Sequence, residues 1–158
     1  MVIREAQDYG LSLGATKLTK ILVFSDVKAM ESLKPSITGR PAVKAPYGPV
    51  PAAYESALET LKATRRISTS PIVSLASPDY GRFNPFELNV LKTMTYDFCF
   101  SRTAGELTRM SRNEMWERLS VGEALPLSSY LPQEEVPMSA LEIQDLMSEP
   151  GPGVSSSS

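Results

Sequence analysis

The side chains able to do chemistry in this sequence are few, and their spacing limits what they can do. Two pairs of carboxylates lie at helical spacing, Glu55 with Glu59 and Glu114 with Glu117. Two acids on one face can divide general-acid and general-base roles where a cleft holds a substrate between them. Neither pair sits in a stretch that predicts a cleft, so both read as solvated helix faces. Asp26 differs, because it lies toward the end of an apolar segment, directly after Phe24-Ser25. A carboxylate buried there has to accept hydrogen bonds from backbone or basic groups, which puts a structural role ahead of a catalytic one. A hydrolase or nucleotide-handling site that pairs Asp26 with a basic residue is the enzymatic alternative. Cys99 stands alone between Phe98 and Phe100 and reads as a small core residue.

What is missing is as informative. The chain contains no His and one Cys, which removes a Ser-His-Asp triad, a His base for Cys99, His-liganded metals, an internal disulfide and a Cys-only or Cys/His zinc site within it. Gly39-Arg40-Pro41 and Tyr47-Gly48-Pro49 do not make phosphate-cradling loops, since their prolines lack the donors such loops supply. No enzymatic activity, cofactor or metal is therefore expected. Trp116, at helical spacing from Leu119, reads as core or, near the surface, as an anchor for a partner.

The elements that position these residues follow from periodicity and punctuation. Leu18, Ile21, Leu22, Ser25 and Ala29 share a face, with Lys17, Lys20 and Lys28 mostly outside it, so a helix is expected over about 16–30 with Thr16 as its cap. A short helix within 3–13 is interrupted by Gly10 and Gly14. From Pro35 to Pro51 prolines and glycines break every period, giving an ordered connector in which Ala42–Ala45 can form one short strand. A second helix is expected over 51–63, with Pro51 in its first turn. Residues 67–83 read as a hairpin turning at Ser77-Pro78-Asp79-Tyr80-Gly81. Asn84-Pro85-Phe86-Glu87 opens a helix to about 98. Thr103 with Glu106, and Ser111 with Glu114, match capping boxes for helices over 103–110 and 112–119. Ser139 with Glu142 is a last such pattern, before a Pro/Gly/Ser tail too poor in apolar residues to fold. The expected architecture is mainly α: a compact single-domain helical fold with a Pro/Gly-rich connector and a short β-hairpin. It is divided as a domain over 1–130, an extension with a short helix over 131–148 and a disordered tail over 149–158.

Charge narrows the partners. At 158 residues and a net charge of −2, the chain suits one domain without the basic surface of a dedicated nucleic-acid binder. Residues 1–80 balance ten Lys/Arg against seven Asp/Glu, and residues 81–158 six against eleven. An asymmetry of +3 against −5 is ordinary surface variation or a face that orients a protein partner. The longest apolar run, Ile21 to Phe24, falls far short of the roughly 20 residues that span a bilayer. Met1 to Glu5 shows no charged-then-apolar signal pattern. A cytoplasmic protein is expected, with no membrane partner and no nucleic acid.

Taken in order, several segments resemble one family. Lys17-Leu18-Thr19-Lys20-Ile21-Leu22-Val23-Phe24-Ser25-Asp26 is similar to the K-L-x-K-L-L-Y-x-A-D helix of the Panacea domain family, the SocA-like and phage-associated GepA-type antitoxins. Ile37-Thr38-Gly39 resembles its I-T-G turn, and Ala42 through Tyr47-Gly48-Pro49-Val50-Pro51 its A-x-x-x-x-Y-G-P-V-P signature, with Tyr54 following. Phe83 through Glu87 with Leu91 resembles its F-S-x-x-E-x-x-x-L helix start, Thr103 through Thr108 its S-A-x-E-L-S segment, and Ser111 through Trp116 its S/T-H-x-x-x-W close. Arg112 stands where the family carries His, and Val23 and Ser25 replace its Tyr and Ala. The resemblance spans about residues 16–120. It implies a mostly helical antitoxin of a bacterial or phage toxin–antitoxin pair that neutralises a cognate toxin by direct binding. Some such domains act as adaptors delivering the toxin to a protease such as a Clp-type machine, and autoregulatory DNA binding is a further alternative. On this reading Tyr47, Pro49, Pro51 and Tyr54 present the partner surface, Asp26 holds the connector, and Trp116 joins the partner-binding set. The proline-stiffened segment suits that task because it loses little conformational entropy on docking.

Overall fold

The computed structural model describes residues 1–131. Among them the helices are α1 (Val2–Asp8), α2 (Ala15–Glu31), α3 (Tyr54–Ala63), α4 (Pro85–Phe100), α5 (Ala104–Ser111) and α6 (Glu114–Arg118). The strands are β1 (Ala42–Ala45), β2 (Gly48–Pro51), β3 (Ile67–Thr69), β4 (Ile72–Ser74) and β5 (Ala124–Leu125), and 3₁₀ turns occupy Tyr80–Arg82 and Leu127–Tyr130. None of these helices is long and apolar enough to cross a membrane.

The mainly α expectation is overturned. Helices share the structure with two small antiparallel sheets, one of order β2-β1-β5 and one pairing β3 with β4. The reason lies in where the prolines fall. Ala45 pairs with Gly48, Val43 with Val50 and Ala42 with Pro51, so the β1–β2 hairpin turns on Pro46-Tyr47. Pro49 and Pro51 share one parity of an edge strand, at positions where the ladder asks for no N–H, while the next donor, Ala52, reaches Pro41 O at 2.8 Å. Prolines that break a helical period are thus compatible with this edge. The third strand comes from far along the chain: Val43 pairs with Ala124 and Ala42 with Leu125.

Several boundaries move for local reasons. Because Pro51 completes β2 and Ala53 takes a left-handed conformation (φ 63°), α3 begins at Tyr54 rather than Pro51. The second hairpin turns at Ser70-Pro71, and Asp79 instead caps the 3₁₀ turn by accepting from Gly81 N. The capping boxes of α4 (Asn84 with Glu87) and α5 (Thr103 with Glu106) form reciprocally. At α6 the cap is Asn113, accepting from Trp116 N, because Ser111 still belongs to α5 and donates to Thr108 O. At α2 the N-cap position is Gly14, with no side-chain cap from Thr16. The Ser139–Glu142 pattern, the extension and the tail lie outside the described residues.

The core is organised around α2. Leu18, Ile21, Val23, Phe24 and Val27 are all buried, and Phe24 meets Phe98 of α4 and Tyr130 edge-on at centroid separations of 5.9 and 5.2 Å. Such contacts add about 1 kcal/mol each beyond area burial. A helix surrounded this fully needs no narrow apolar stripe, and its burial extends to polar positions: Thr19, Lys20, Ser25 and Asp26 are buried too. On the other side α1 is tied to β4, where Gln7 accepts from Ser74 N and Arg4 Nε donates to Ser74 Oγ at 3.2 Å.

Candidate functional site

Two buried charges on α2 build the site from opposite ends. Asp26, 2% exposed, accepts at Oδ1 from the amides of Ile37 (2.7 Å) and Thr38 (2.9 Å), and at Oδ2 from the Thr38 hydroxyl. Thr38 Oγ1 also accepts from Arg40 N, which closes the turn before Gly39-Arg40. Burial pushes the Asp26 carboxyl up, and the hydrogen bonds from Thr38 and Ile37 work against that rise. The connector is thereby fastened to the middle of the protein as it sets out toward β1.

Six residues earlier, Lys20 is also 2% exposed, but its surroundings are poor in acceptors. Its ammonium donates to Tyr47 O at 3.4 Å, and among the described residues no carboxylate comes within ion-pair distance. The ion pairs among the described residues all lie elsewhere, such as Lys28–Glu31 and Arg102–Asp97, on more exposed side chains. Burial, reinforced by the Arg112 cation, lowers the Lys20 ammonium to about 8. Gly48 is required here twice over. Its φ of 135° disfavours a side chain, and a Cβ on it would stand 2.5 Å from Lys20 Nζ. The hairpin backbone therefore lies directly on the lysine.

The space beside this contact is a cleft of about 630 Å³ between α2, the hairpin and the start of α3, lined by Thr16, Thr19, Lys20, Tyr47, Pro51 and Tyr54 among others. Its walls are mostly apolar, with Val43 and Val50 contributing. Tyr47, at the hairpin tip, is 77% exposed. Tyr54 is half-buried, and its hydroxyl is buried with no hydrogen-bond partner. Glu55, exposed, is the carboxylate on the cleft's lining.

Behind the hairpin, Trp116 is held by two cations. Lys44 Nζ lies 3.8 Å from the ring centroid and donates to Trp116 O at 2.8 Å, while the Arg112 guanidinium lies 4.8 Å from the same ring. The indole N–H and Arg112 Nε are both buried without partners. Arg112 thus stacks on the tryptophan and faces Lys20 as a like charge.

Of the residues expected at a partner surface, the structure joins Tyr47, Pro51 and Tyr54 along one cleft. Tyr47 is the one that projects freely. Pro49, Pro51, Asp26 and Trp116 are buried within the fold, so their side chains support the surface from beneath. Sequence reasoning missed Lys20, which it put mostly outside the apolar face, and missed Lys44 and Arg112 as ring partners. The signal for Lys20 was available: it directly precedes Ile21–Phe24, four consecutive apolar residues that face every side of a helix, and a helix apolar on every side buries whatever it carries. The carboxylate pairs come to no cleft together, and Cys99 is half-buried, with burial raising its thiol. Comparison of the chain with protein-family models, with curated proteins and with solved structures found no match.

Proposed function

We propose that this chain is an antitoxin-like binding domain that neutralises a toxin encoded beside it, acting in the cytoplasm by direct contact rather than by catalysis. The observation that carries the reading is Tyr47. A tyrosine 77% exposed at the tip of a hairpin seated on the core, above a cleft with apolar walls, has the placement of an interface anchor. Antitoxin is the part of the reading that rests on the resemblance of the Lys17–Asp26, Ile37–Gly39 and Tyr47–Pro51 segments to the Panacea family. The prolines on β2 and the Asp26 fastening hold the hairpin in one conformation before docking, which limits the ordering cost.

The test is a growth assay with the adjacent gene under an inducible promoter, with and without this protein, followed by co-purification. The expected result is growth arrest by the neighbour, relief by this chain, and recovery of both proteins together. Tyr47→Ala should lose relief and co-purification while keeping the wild-type circular dichroism. Relief without co-purification would move the reading to delivery to a protease or to transcriptional control. A neighbour that is not toxic would end the antitoxin reading.

A further inference from the structure

We propose that the cleft beneath the β1–β2 hairpin receives an apolar segment of the partner protein bearing a carboxylate, and that this carboxylate meets the Lys20 ammonium. The proposal rests on the partner-binding reading above and states what chemistry that site selects. Its first support is an unbalanced charge. Lys20 is 98% removed from solvent, lines the cleft, and has a single long hydrogen bond to a backbone carbonyl. An ammonium out of water is costly unless it is paired with an anion and its protons find acceptors. Arg112 makes the local imbalance worse rather than better, and Glu55 lies on the cleft lining outside ion-pair distance of Lys20. Among the described residues, then, no anion neutralises this positive charge.

The second support is the shape and polarity of the space. The lining that Lys20 shares includes Val43, Val50, Pro51, Tyr47 and Tyr54 and is mostly apolar, so a ligand needs apolar groups beside its charge. Tyr54, a residue of the same lining, carries a hydroxyl buried without a partner among the described residues, a second unused donor. One ammonium and one hydroxyl suit a monoanion. A phosphate calls for more donors, and among the described residues Lys20 is the only cation on the cleft lining: Lys44, bound to the Trp116 carbonyl, and Arg112, stacked on the same ring, both lie off it. A glutamate or aspartate flanked by apolar residues fits these demands.

The experiment titrates ¹⁵N-labelled full-length protein with acetyl-Leu-Glu-Leu-amide, its Gln counterpart and its phosphoserine counterpart, following the amides of Tyr47 and Gly48. The Glu peptide should bind about tenfold more tightly than the Gln peptide, as a charge-assisted contact in a sheltered site does. Lys20→Met should bring the two to equality with wild-type circular dichroism, and Lys20→Gln serves as the second variant should the first fail to fold. Equal binding of Glu and Gln peptides by the wild type, no binding of the Glu peptide, preference for phosphoserine, or a Glu preference that survives in the folded Lys20 variant would each overturn the proposal. The two readings fail separately. A Glu preference that depends on Lys20 stands even where no neighbouring gene is toxic, and a toxin that is bound while the Glu preference is missing overturns only the carboxylate.

Discussion

Asp26 and Lys20 sit on one helix, less than two turns apart, equally hidden from water, and they are treated in opposite ways. Asp26 is met by two amides and a hydroxyl. Lys20 is met by one carbonyl at 3.4 Å and repelled by Arg112. A buried charge with a full set of partners is a fastening, and removing it strands the partners. A buried charge without them is a cost carried by the folded state, and removing it relieves that cost. The sign of a substitution at each site therefore distinguishes a charge that holds the fold from one that the fold carries at a cost.

The largest effect is expected at the fastening. Asp26→Ala strands the amides of Ile37 and Thr38 and should cost about 3 kcal/mol in urea unfolding. A loss near zero would mean the connector is held by other contacts and would erase the contrast. Next comes Gly48→Ala, which places a Cβ against the Lys20 ammonium and a side chain at φ 135°. A destabilisation of about 2 kcal/mol is expected, measured in the same way.

Lys20→Met carries the opposite sign. At neutral pH it should stabilise the protein by roughly 1–3 kcal/mol, as replacing an unpaired buried charge with a matched apolar chain does. The pH dependence sharpens this. The folded value of about 8 lies below the ordinary 10.5, so between them the unfolded chain holds a proton that the folded chain has released. Stability then rises with pH across that window, with a limiting slope of about 1.4 kcal/mol per pH unit. The Met1 amine, lowered by burial, adds to the rise, whereas Cys99 and Tyr130, both raised by burial, oppose it once their unfolded groups ionise near the ordinary 9.0 and 10.0. Thermal melts between about pH 8 and 9.5 should therefore climb in the wild type and climb less in Lys20→Met. Parallel melts would show the two buried charges to be alike after all. The smallest effect on stability belongs to Tyr47→Ala, within about 0.5 kcal/mol because the ring is exposed. A larger loss would make Tyr47 part of the fold and remove it from the surface.

The helices were legible in the sequence where their determinants are local. Asn84-Pro85-Phe86-Glu87 states a cap, a first-turn proline and a reciprocal acid within four residues, and the box forms as read. The strands were not, because theirs are remote. Nothing near Val43 announces that it pairs with Ala124, and a two-residue strand has no period to detect. Pro49 and Pro51 look like breakers until the register shows that the ladder does not need their missing donors. The site divides in the same way. Tyr47, Pro51 and Tyr54 are close in sequence and line the cleft together, whereas Lys20 gains its meaning from Gly48, Ser111 and Arg112, which only folding brings near it.

The pairing of β1 with β5 also bears on synthesis. The outer edge of β1 stays open, with unpaired donors and acceptors, until residues 124 and 125 have left the ribosome some eighty residues after Val43. Lys44 N and O then close onto Glu123 O and Gly122 N at 2.9 and 2.8 Å. A nascent or truncated chain that stops earlier displays a bare strand edge next to a finished hairpin, an open template for pairing with another chain.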